Sequence, residues 1–309
     1  MDDFLFVGES EQKTKKMLED FYNMCNILNI PIAHHKTEGP NKCITFLGIE
    51  LNTDDMTAKL PPEKLCKYRD GINNILYTEK CTLKELQSVI GMLQFSTSVI
   101  PVGKCFLRRL YNATIGVEKP YHYIKINEYI KKDLTMWKTF LDNYNGIAFI
   151  HHKPSINSND THLFTDSSKT GFGATYDKDF LCGTFPEYWQ AQSIELLELY
   201  PIFLLVQIFK ERLSHKRVLF HCDNEAVVQI INKQSSRVDK IMTLLRPMIL
   251  TMLNYNIQFH AIHIPGKTNH ICDTLSRKQV DEVFLKKHGM NAIQTHIPMS
   301  LRPQNLRMM

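Results

Sequence analysis

The segment from His162 to Ala174 limits the fold of this chain more than any other stretch of its sequence. It reads as a short apolar strand that ends at Asp166, a polar turn, and a second strand opened by Gly171 and Gly173. Two β-prone runs joined by a turn signal predict a β-hairpin. An acidic side chain, that of Asp166, is thereby expected at the end of the first strand of this hairpin.

The sequence after this hairpin alternates between strand and helix patterns. It predicts strands at 162–166, 171–176, 179–185, 217–222 and 257–264, and helices at 192–212, from 225, at 239–253 and around Asp273. Three strands followed by helix, strand, helix, strand and helix are typical of an α/β fold, with a mixed sheet and helices packed on it.

Three more acidic residues lie where such a sheet brings them towards Asp166: Glu198 in an apolar helix, Asp223 after a strand, and Asp273 in a short helix. Each aspartate also has an ordinary interpretation. Asp166 suits a turn, Asp223 suits a helix N-cap, and Asp273 suits a first helical turn. Four carboxylates at one point would repel one another unless cations neutralise their charge. A cluster of acids that holds two divalent cations is the arrangement used in two-metal phosphodiester hydrolysis.

The region before the hairpin predicts a different organisation. Residues 1–58 combine a turn and strand at Met1–Gly8, an amphipathic helix at Glu11–Leu28, and a strand at Cys43–Leu51 that Gly48 breaks. Residues 59–150 predict helices that bear lysines. The predicted features there are a helix start at Pro61-Pro62-Glu63, a capping box at Thr82–Glu85, one helical turn carrying Lys104, Arg108 and Arg109, and a helix at Ile126–Tyr144.

Composition excludes some classes of protein and leaves others open. A hydrophobic content of 43%, a charged content of 22% and a net charge of +5 are compatible with a globular protein that binds nucleic acid, without implying one. The eight cysteines form no Cys-x-x-Cys pair and no zinc spacing, which favours free thiols in a reducing compartment. An acidic N-terminus and short apolar runs predict neither a signal peptide nor a membrane span, so we expect a cytoplasmic or nuclear location.

Five short motifs in a fixed order carry a resemblance to a known family. They are Thr-Asp166-Ser-Ser, Glu198-Leu-Tyr-Pro-Ile, Cys-Asp223-Asn, His-Ile-Pro-Gly266-Lys-Thr-Asn269 and Cys-Asp273-Thr-Leu-Ser-Arg277. Each is weak alone, but as an ordered set they make the segment 162–278 resemble a ribonuclease H domain of the retrotransposon type. The loop at Gly266–Asn269 departs from the cellular enzymes because it has no histidine in register, and we interpret it as a different product-release device.

The resemblance extends upstream. Met1-Asp2-Asp3-Phe-Leu-Phe-Val-Gly8 looks like the second half of the Tyr-x-Asp-Asp turn of a reverse transcriptase, and Phe46–Leu51 looks like the primer-grip strand. Leu86–Leu110 resembles the thumb and connection of gypsy-like and DIRS-like elements, and Ile297–Pro303 favours a DIRS-like one. Asp2 and Asp3 are then a polymerase remnant. Since the sequence begins at the Met of this turn, we expect the fingers and the upstream polymerase Asp to be missing and polymerase activity to be lost.

The resemblance implies five regions. They are a partial reverse-transcriptase palm at 1–58, a thumb and connection at 59–152, a linker at 153–161, a ribonuclease H-like domain at 162–280, and a tail at 281–309. The expected fold is therefore a ribonuclease H-like α/β mixed sheet with flanking helices, preceded by a partial palm and a helical thumb.

The implied activity is metal-dependent, endonucleolytic hydrolysis of the RNA strand of RNA–DNA hybrids. Asp166, Glu198, Asp223 and Asp273 would be both catalytic residues and ligands of two Mg²⁺ ions, with Mn²⁺ as a substitute, and Asp166 would bridge the pair. Four acids without a Cys or His ligand fit a hard cation such as Mg²⁺. Glu198 is preferred to Glu195, three residues earlier, because it matches the family's register.

The predicted partner is an RNA–DNA hybrid or another nucleic acid, and no membrane. The candidate phosphate contacts are Lys104, Arg108 and Arg109, and the candidate polar contacts are Asn224, Asn269 and Ser167. For each cation, a solvated helix face is an equally good interpretation.

Three other hypotheses stay open. The chain could be a non-catalytic remnant that keeps the fold and binds nucleic acid, a different nuclease or transposase of the same fold, or a polymerase. The presence of all four acids argues against the first. Asp166 does not begin an Asp-x-Glu motif, and the last acid of the set is Asp273 and not a glutamate. Both observations argue against a different nuclease or transposase.

Overall fold

The computed structural model describes residues 3–145, 148–149 and 160–306. The chain divides into two compact units, Met1–Gly103 with Arg109–Pro154, and Lys104–Arg108 with Ser155–Met309. Asp2 and residues 153–159 of the predicted linker lie outside the described residues, and Thr161 already belongs to a strand. Within the described ranges, no helix is both long and apolar enough to cross a membrane.

The described residues of the first part of the chain form five α-helices and six short strands, with two short 3-10 helices between them. The helices are α1 (Glu11–Ile27), α2 (Pro62–Leu76), α3 (Leu83–Ser96), α4 (Arg108–Thr114) and α5 (Glu128–Asn143). The strands are β1 (Cys43–Phe46), β2 (Ile49–Asn52), β3 (Thr57–Lys59), β4 (Lys80–Thr82), β5 (Tyr123–Lys125) and β6 (Ala148–Phe149). Strands β1, β2, β3 and β6 form an antiparallel sheet in that order, and β4 pairs with β5.

The predicted starts of α1 and α3 are confirmed. The Ser10 side chain accepts a hydrogen bond from the Lys13 backbone N–H at the start of α1. At α3, Thr82 and Glu85 form both hydrogen bonds of a capping box. Each cap satisfies backbone N–H groups that lack an intrahelical acceptor, which is why these polar residues fix where the helices begin.

Three predictions here are wrong. Residues 3–8 form no strand, although Phe4–Val7 are β-prone. Cys43–Leu51 is not one broken strand but part of the β1–β2 hairpin, because Leu47 (φ 48°) and Gly48 (φ 76°) form a two-residue turn with positive φ at both positions. Lys104 lies in a 3-10 helix at Pro101–Phe106, so it does not share a helical turn with Arg108 and Arg109 in α4.

The second unit is built on a five-stranded sheet. Its strands are β7 (Thr161–Ser167), β8 (Gly171–Tyr176), β9 (Asp179–Thr184), β10 (Arg217–Cys222) and β11 (Gln258–His263). Their order is β11-β10-β7-β8-β9, with β7, β10 and β11 parallel and β8 antiparallel to both of its neighbours. The helices are α6 (Glu187–Gln190), α7 (Ile194–Leu213), α8 (Glu225–Lys233), α9 (Asp239–Asn254), α10 (His270–Ser276) and α11 (Glu282–Lys287). The predicted α/β class, a mixed sheet with flanking helices, is confirmed.

Helices cover both faces of this sheet. On one face, Phe172 of β8 meets Tyr200 of α7, with ring centroids 4.9 Å apart. On the other face, α10 lies directly on β8, since a Cβ added at Gly173 would be 2.5 Å from the carbonyl oxygen of Cys272. Only a glycine allows this close approach. Side chains alternate between the faces along each strand, so Asp166, which pairs with Gly173, points to the α10 side, while Ser167 points to the α7 side.

The segment predicted as a tail packs on the second unit as far as it is described. Trp189 Nε1 and Tyr200 OH donate hydrogen bonds of 3.0 Å to the carbonyls of Pro303 and Leu301. The backbone N–H of Thr295 donates to the Phe180 carbonyl on the edge strand β9. Covering an edge strand in this way protects its unpaired backbone groups.

Candidate active site

Two of the four predicted acids lie where parallel strands end. Asp166 is the next-to-last residue of β7, and Asp223 directly follows β10. The two strands are hydrogen-bonded neighbours in parallel register, so their carboxyl ends meet at one edge of the sheet. Asp223 does not cap the helix that follows; the Asn224 side chain does, by accepting a hydrogen bond from the Val227 backbone N–H. The Asp223 carboxylate therefore stays available at the edge.

Glu198 reaches the same edge from α7. It is 4% exposed and accepts a hydrogen bond from the Ser167 backbone N–H. Glu195, one turn earlier, is partly exposed. Glu198 is thus the α7 glutamate that lies beside Asp166.

A proline fixes this turn of α7 against β7. Helix α7 runs through Pro201, which has no N–H to donate to the carbonyl of Leu197 four residues earlier. The Ser167 hydroxyl donates to that carbonyl instead, at 2.9 Å. Pro201 therefore frees an acceptor next to Glu198, and a residue next to Asp166 binds it, which ties the two acidic positions together.

Asp273 enters from α10 on the other face. Its carboxylate forms an ion pair with Arg277, with Nη2 2.8 Å from Oδ1. One turn on from Asp273, the Ser276 hydroxyl donates a 2.6 Å hydrogen bond to Asp166 Oδ2. Helix α10 therefore contributes both an acid and a hydrogen-bond donor to the site.

Burial and mutual repulsion raise the pKa values of three of these acids. Burial, opposed by the Ser276 hydrogen bond and assisted by Asp223 and Asp273, raises the pKa of Asp166 to about 6. Burial, with added repulsion from Asp166 and Asp223, raises the pKa of Glu198 to about 9. Burial also raises the pKa of Asp223, with Asp273 adding to it. Each acid thus lies near enough to another to oppose its ionisation, which is the electrostatic condition that a bound cation relieves.

The donor set fits a hard divalent cation. Oxygens of Glu198 and Asp223 and the sulfur of Cys222 lie within 4.8 Å of one another. Burial, with further repulsion from Glu198, raises the pKa of the Cys222 thiol well above its ordinary range, so this soft group stays protonated. The remaining donors are carboxylate oxygens, which Mg²⁺ and Mn²⁺ prefer.

Sequence reasoning missed two of these contacts. Ser276 lies three residues after Asp273, and this helical spacing is the signal that places it on the same face. Cys222 immediately precedes Asp223 at the end of β10, but nothing in its surroundings in the sequence marks it.

The predicted polar contacts have structural partners. The Asn269 side chain is 3% exposed and donates at 2.8 Å to the Thr165 carbonyl, so it fixes the loop before α10 to β7 instead of facing solvent. Asn224 caps α8 and Ser167 binds Leu197.

The predicted phosphate contacts are divided between the two units, and the polymerase remnant belongs to the first. Arg109 forms a 3.0 Å ion pair with the buried Asp133 in the first unit. Lys104 and Arg108 are partly exposed and belong to the second unit. Asp3 is exposed and lies outside any regular element, and Asp2 is beyond the described residues.

Comparison with known proteins gives structural likenesses only. No known family model matches the chain, and no curated protein matches its sequence. The chain is similar to a foamy viral protease-reverse transcriptase solved with double-stranded DNA, at 17% identity over 84% of this chain and 44% of that one, with a TM-score of 0.38. The same viral protein with an RNA/DNA hybrid gives 15% identity over 83% and 34%, also with a TM-score of 0.38.

A smaller likeness is to ribonuclease H1 of the halophilic archaeon Halobacterium salinarum. It has 12% identity, covers 39% of this chain and 99% of that one, and has a TM-score of 0.31. The chain spans less than half the length of both of these viral structures. With TM-scores this low, the site geometry alone must support a function.

Proposed function

We propose that the second unit is a metal-dependent nuclease of the ribonuclease H type, which hydrolyses the RNA strand of RNA–DNA hybrids. The observation that supports this proposal is the convergence of Asp166, Glu198, Asp223 and Asp273. These acids come from β7, α7, the end of β10 and α10, and their mutual repulsion adds to burial in raising the pKa values of Asp166, Glu198 and Asp223. A fold that only needed stability would gain nothing from gathering them, because buried carboxylates without a cation destabilise the folded state.

In this proposal Asp166, Glu198, Asp223 and Asp273 would hold the Mg²⁺ ions through their carboxylate oxygens. Bound Mg²⁺ would lower the pKa of a water molecule and neutralise charge on the leaving 3′ oxygen. Ser276 would hold Asp166 in place, and Ser167 would hold the turn of α7 that carries Glu198. Attack by water on phosphorus and loss of the 3′ oxygen, which takes up a proton, would leave a 5′ phosphate on the product.

The resemblance of the sequence motifs to a retrotransposon ribonuclease H favours a hybrid as the substrate. The same resemblance leads us to propose that the first unit derives from the palm and thumb of a DIRS-like or gypsy-like reverse transcriptase. An enzyme of this type distinguishes RNA by its 2′-hydroxyls across the wide minor groove.

The test is Asp223→Asn, which keeps the size of the side chain and removes one charge. Hybrid cleavage in Mg²⁺ should fall by orders of magnitude, while hybrid binding in EDTA should not weaken, because phosphates are bound elsewhere and one repelling charge is gone. Asp239→Asn, at the exposed start of α9, is the matched control and should cleave like wild type.

Equal cleavage by wild type and Asp223→Asn would show that the site is misassigned. Wild-type protein that binds hybrid but leaves it intact in both Mg²⁺ and Mn²⁺ would favour a non-catalytic, nucleic-acid-binding protein.

A further inference from the structure

The two-stranded sheet of the first unit presents a face of lysines and tyrosines. In the β4–β5 pair, Lys80 lies opposite Lys125, and Cys81 lies opposite Ile124. Cys81 and Ile124 are buried, so the alternate residues Lys80, Tyr123 and Lys125 point outward. Together with Lys119 and Tyr121, which lie in the turn before β5, they form what we call the Lys/Tyr face.

The lysines of this face form no ion pairs with other described residues, although the exposed Glu79 and Glu118 neighbour Lys80 and Lys119 in the sequence. Lysines placed directly opposite each other across two strands destabilise the pairing. Among the described residues, no ion pair involves Lys80, Lys119 or Lys125, whereas Lys13 and Lys15 of α1 each pair with a glutamate. An arrangement that places lysines opposite each other without ion pairs suits an anionic ligand.

The rings distinguish this face from a simple basic patch. Tyr121 and Tyr123 are each 64% exposed. The ammonium of Lys80 lies 4.7 Å from the centroid of the Tyr123 ring, and that of Lys119 lies 5.9 Å from the centroid of Tyr121. Two exposed rings, each beside a cation, offer stacking surfaces next to phosphate-binding groups, which is the combination that single-stranded nucleic acid requires.

The backbone beneath the rings is held in place. The N–H of Leu83 donates to the carbonyl of His122 at 2.8 Å, and that of Lys84 donates to the carbonyl of Pro120 at 3.0 Å. The segment that carries both tyrosines is therefore fixed to the start of α3, so binding would order little more than side chains.

We propose that the Lys/Tyr face binds single-stranded nucleic acid, with bases stacked on Tyr121 and Tyr123 and phosphates on Lys80, Lys119 and Lys125. A double helix hides the faces of its bases, so the rings favour a single strand. This site lies within the first unit and requires neither metal nor the four acids of the second unit.

The test measures binding of a fluorescein-labelled oligothymidylate to the full chain in EDTA by fluorescence anisotropy, over a range of salt concentrations. Tyr121→Ala/Tyr123→Ala should weaken binding by about tenfold or more and leave the salt dependence unchanged, because stacking is lost and charge is kept. Lys80→Glu/Lys125→Glu should make the plot of log affinity against log salt less steep, by about 0.7 in slope for each phosphate contact removed.

The matched control is Lys15→Glu/Lys16→Glu on the exposed face of α1, which changes the net charge equally. It should bind like wild type. An equal loss with this control would overturn the proposal in favour of net charge alone, and unchanged binding by the tyrosine variant would overturn it outright. Tyrosine-dependent binding to heparin, which has no bases, would also overturn it.

The substituted side chains are exposed, so the far-ultraviolet circular dichroism of each variant should match that of wild type. Should the glutamates disturb the β4–β5 pair, Lys80→Gln/Lys125→Gln removes the same contacts without charge reversal, and the reduced slope is expected there too. Asp223→Asn should bind oligothymidylate like wild type, so failure of the nuclease proposal and failure of this one give different results.

Discussion

Replacing Glu198 by glutamine should stabilise the metal-free protein at neutral pH. The pKa of Glu198 is raised from 4.5 in the unfolded chain to about 9 in the fold, first by burial and then by Asp166 and Asp223. At pH 7 the unfolded carboxyl is ionised and the folded one is protonated. Taking up this proton at 2.5 pH units above the unfolded pKa costs about 3 kcal/mol, at about 1.4 kcal/mol per unit. Glutamine resembles the protonated acid and avoids this cost.

The sign of the pH dependence follows from the same shift. Between the two pKa values the folded protein binds one more proton at Glu198 than the unfolded one, so the contribution of this group to stability is fully present below pH 4.5 and is lost as the pH rises towards 9. Glutamine does not titrate. The advantage of Glu198→Gln should therefore be close to zero near pH 4.5, about 3 kcal/mol at pH 7, and larger at pH 8.

The assay is urea unfolding in EDTA at several pH values. Unfolding is monitored by pulse hydrogen exchange of peptides from α7, so that the signal reports on the second unit alone. Glu195→Gln, on the same helix but partly exposed, is the control and should change stability by less than about 0.5 kcal/mol. Added Mg²⁺ should stabilise wild type more than Glu198→Gln, because the variant lacks one ligand. A variant that is no more stable than wild type at pH 7, or whose advantage does not depend on pH, would refute the reasoning.

Two other substitutions test the packing that positions the site. Ser167→Ala should lower the free energy of unfolding by about 1–3 kcal/mol, because the buried Leu197 carbonyl loses its hydrogen-bond donor. In a Pro201→Ala background the loss should be smaller, because residue 201 then has an N–H that can donate to this carbonyl. Additive losses of the two substitutions in urea unfolding would contradict this coupling. Gly173→Ala should destabilise the second unit by about 1–3 kcal/mol and reduce hybrid cleavage, because α10 must move away to make room for the new Cβ. The control is Gly91→Ala in α3, where there is open space around the residue, and it should be neutral or slightly stabilising.

The sequence predicts the second unit well because its local signals agree with its packing. The runs that become β7, β8 and β10 are short, apolar and bounded by turn residues, and α7 is apolar on almost every side because it is buried on almost every side. Local preference does not distinguish Glu198 from Glu195 on the same helix; the choice of Glu198 rests on the register of the motif that carries the resemblance.

Other features could not be predicted because the decisive contacts are distant in the sequence. The β1–β2 turn places Leu47 at positive φ, which no turn preference of leucine indicates. Residues 281–306 show no clear period because α11 is only six residues long and Leu285 is its one buried residue, packed against Phe180 and Leu275. The rest of the segment is held to Trp189, Tyr200 and β9 by hydrogen bonds to backbone carbonyls, which leave no hydrophobic pattern.

Three of the places where local preference and fold disagree in the second unit lie around the acids. A proline lies inside α7 at Pro201, a glycine lies inside β8 at Gly173, and an acid is buried at Glu198. Each is unfavourable by itself in its element. Pro201 nevertheless frees the acceptor that ties α7 to β7, and Gly173 lets α10 approach the strand pair that carries Asp166. Both exceptions therefore serve to bring the acids together. A sequence under selection for stability alone has no reason to keep three such exceptions around one cluster of carboxylates, which is the pattern expected where function opposes stability.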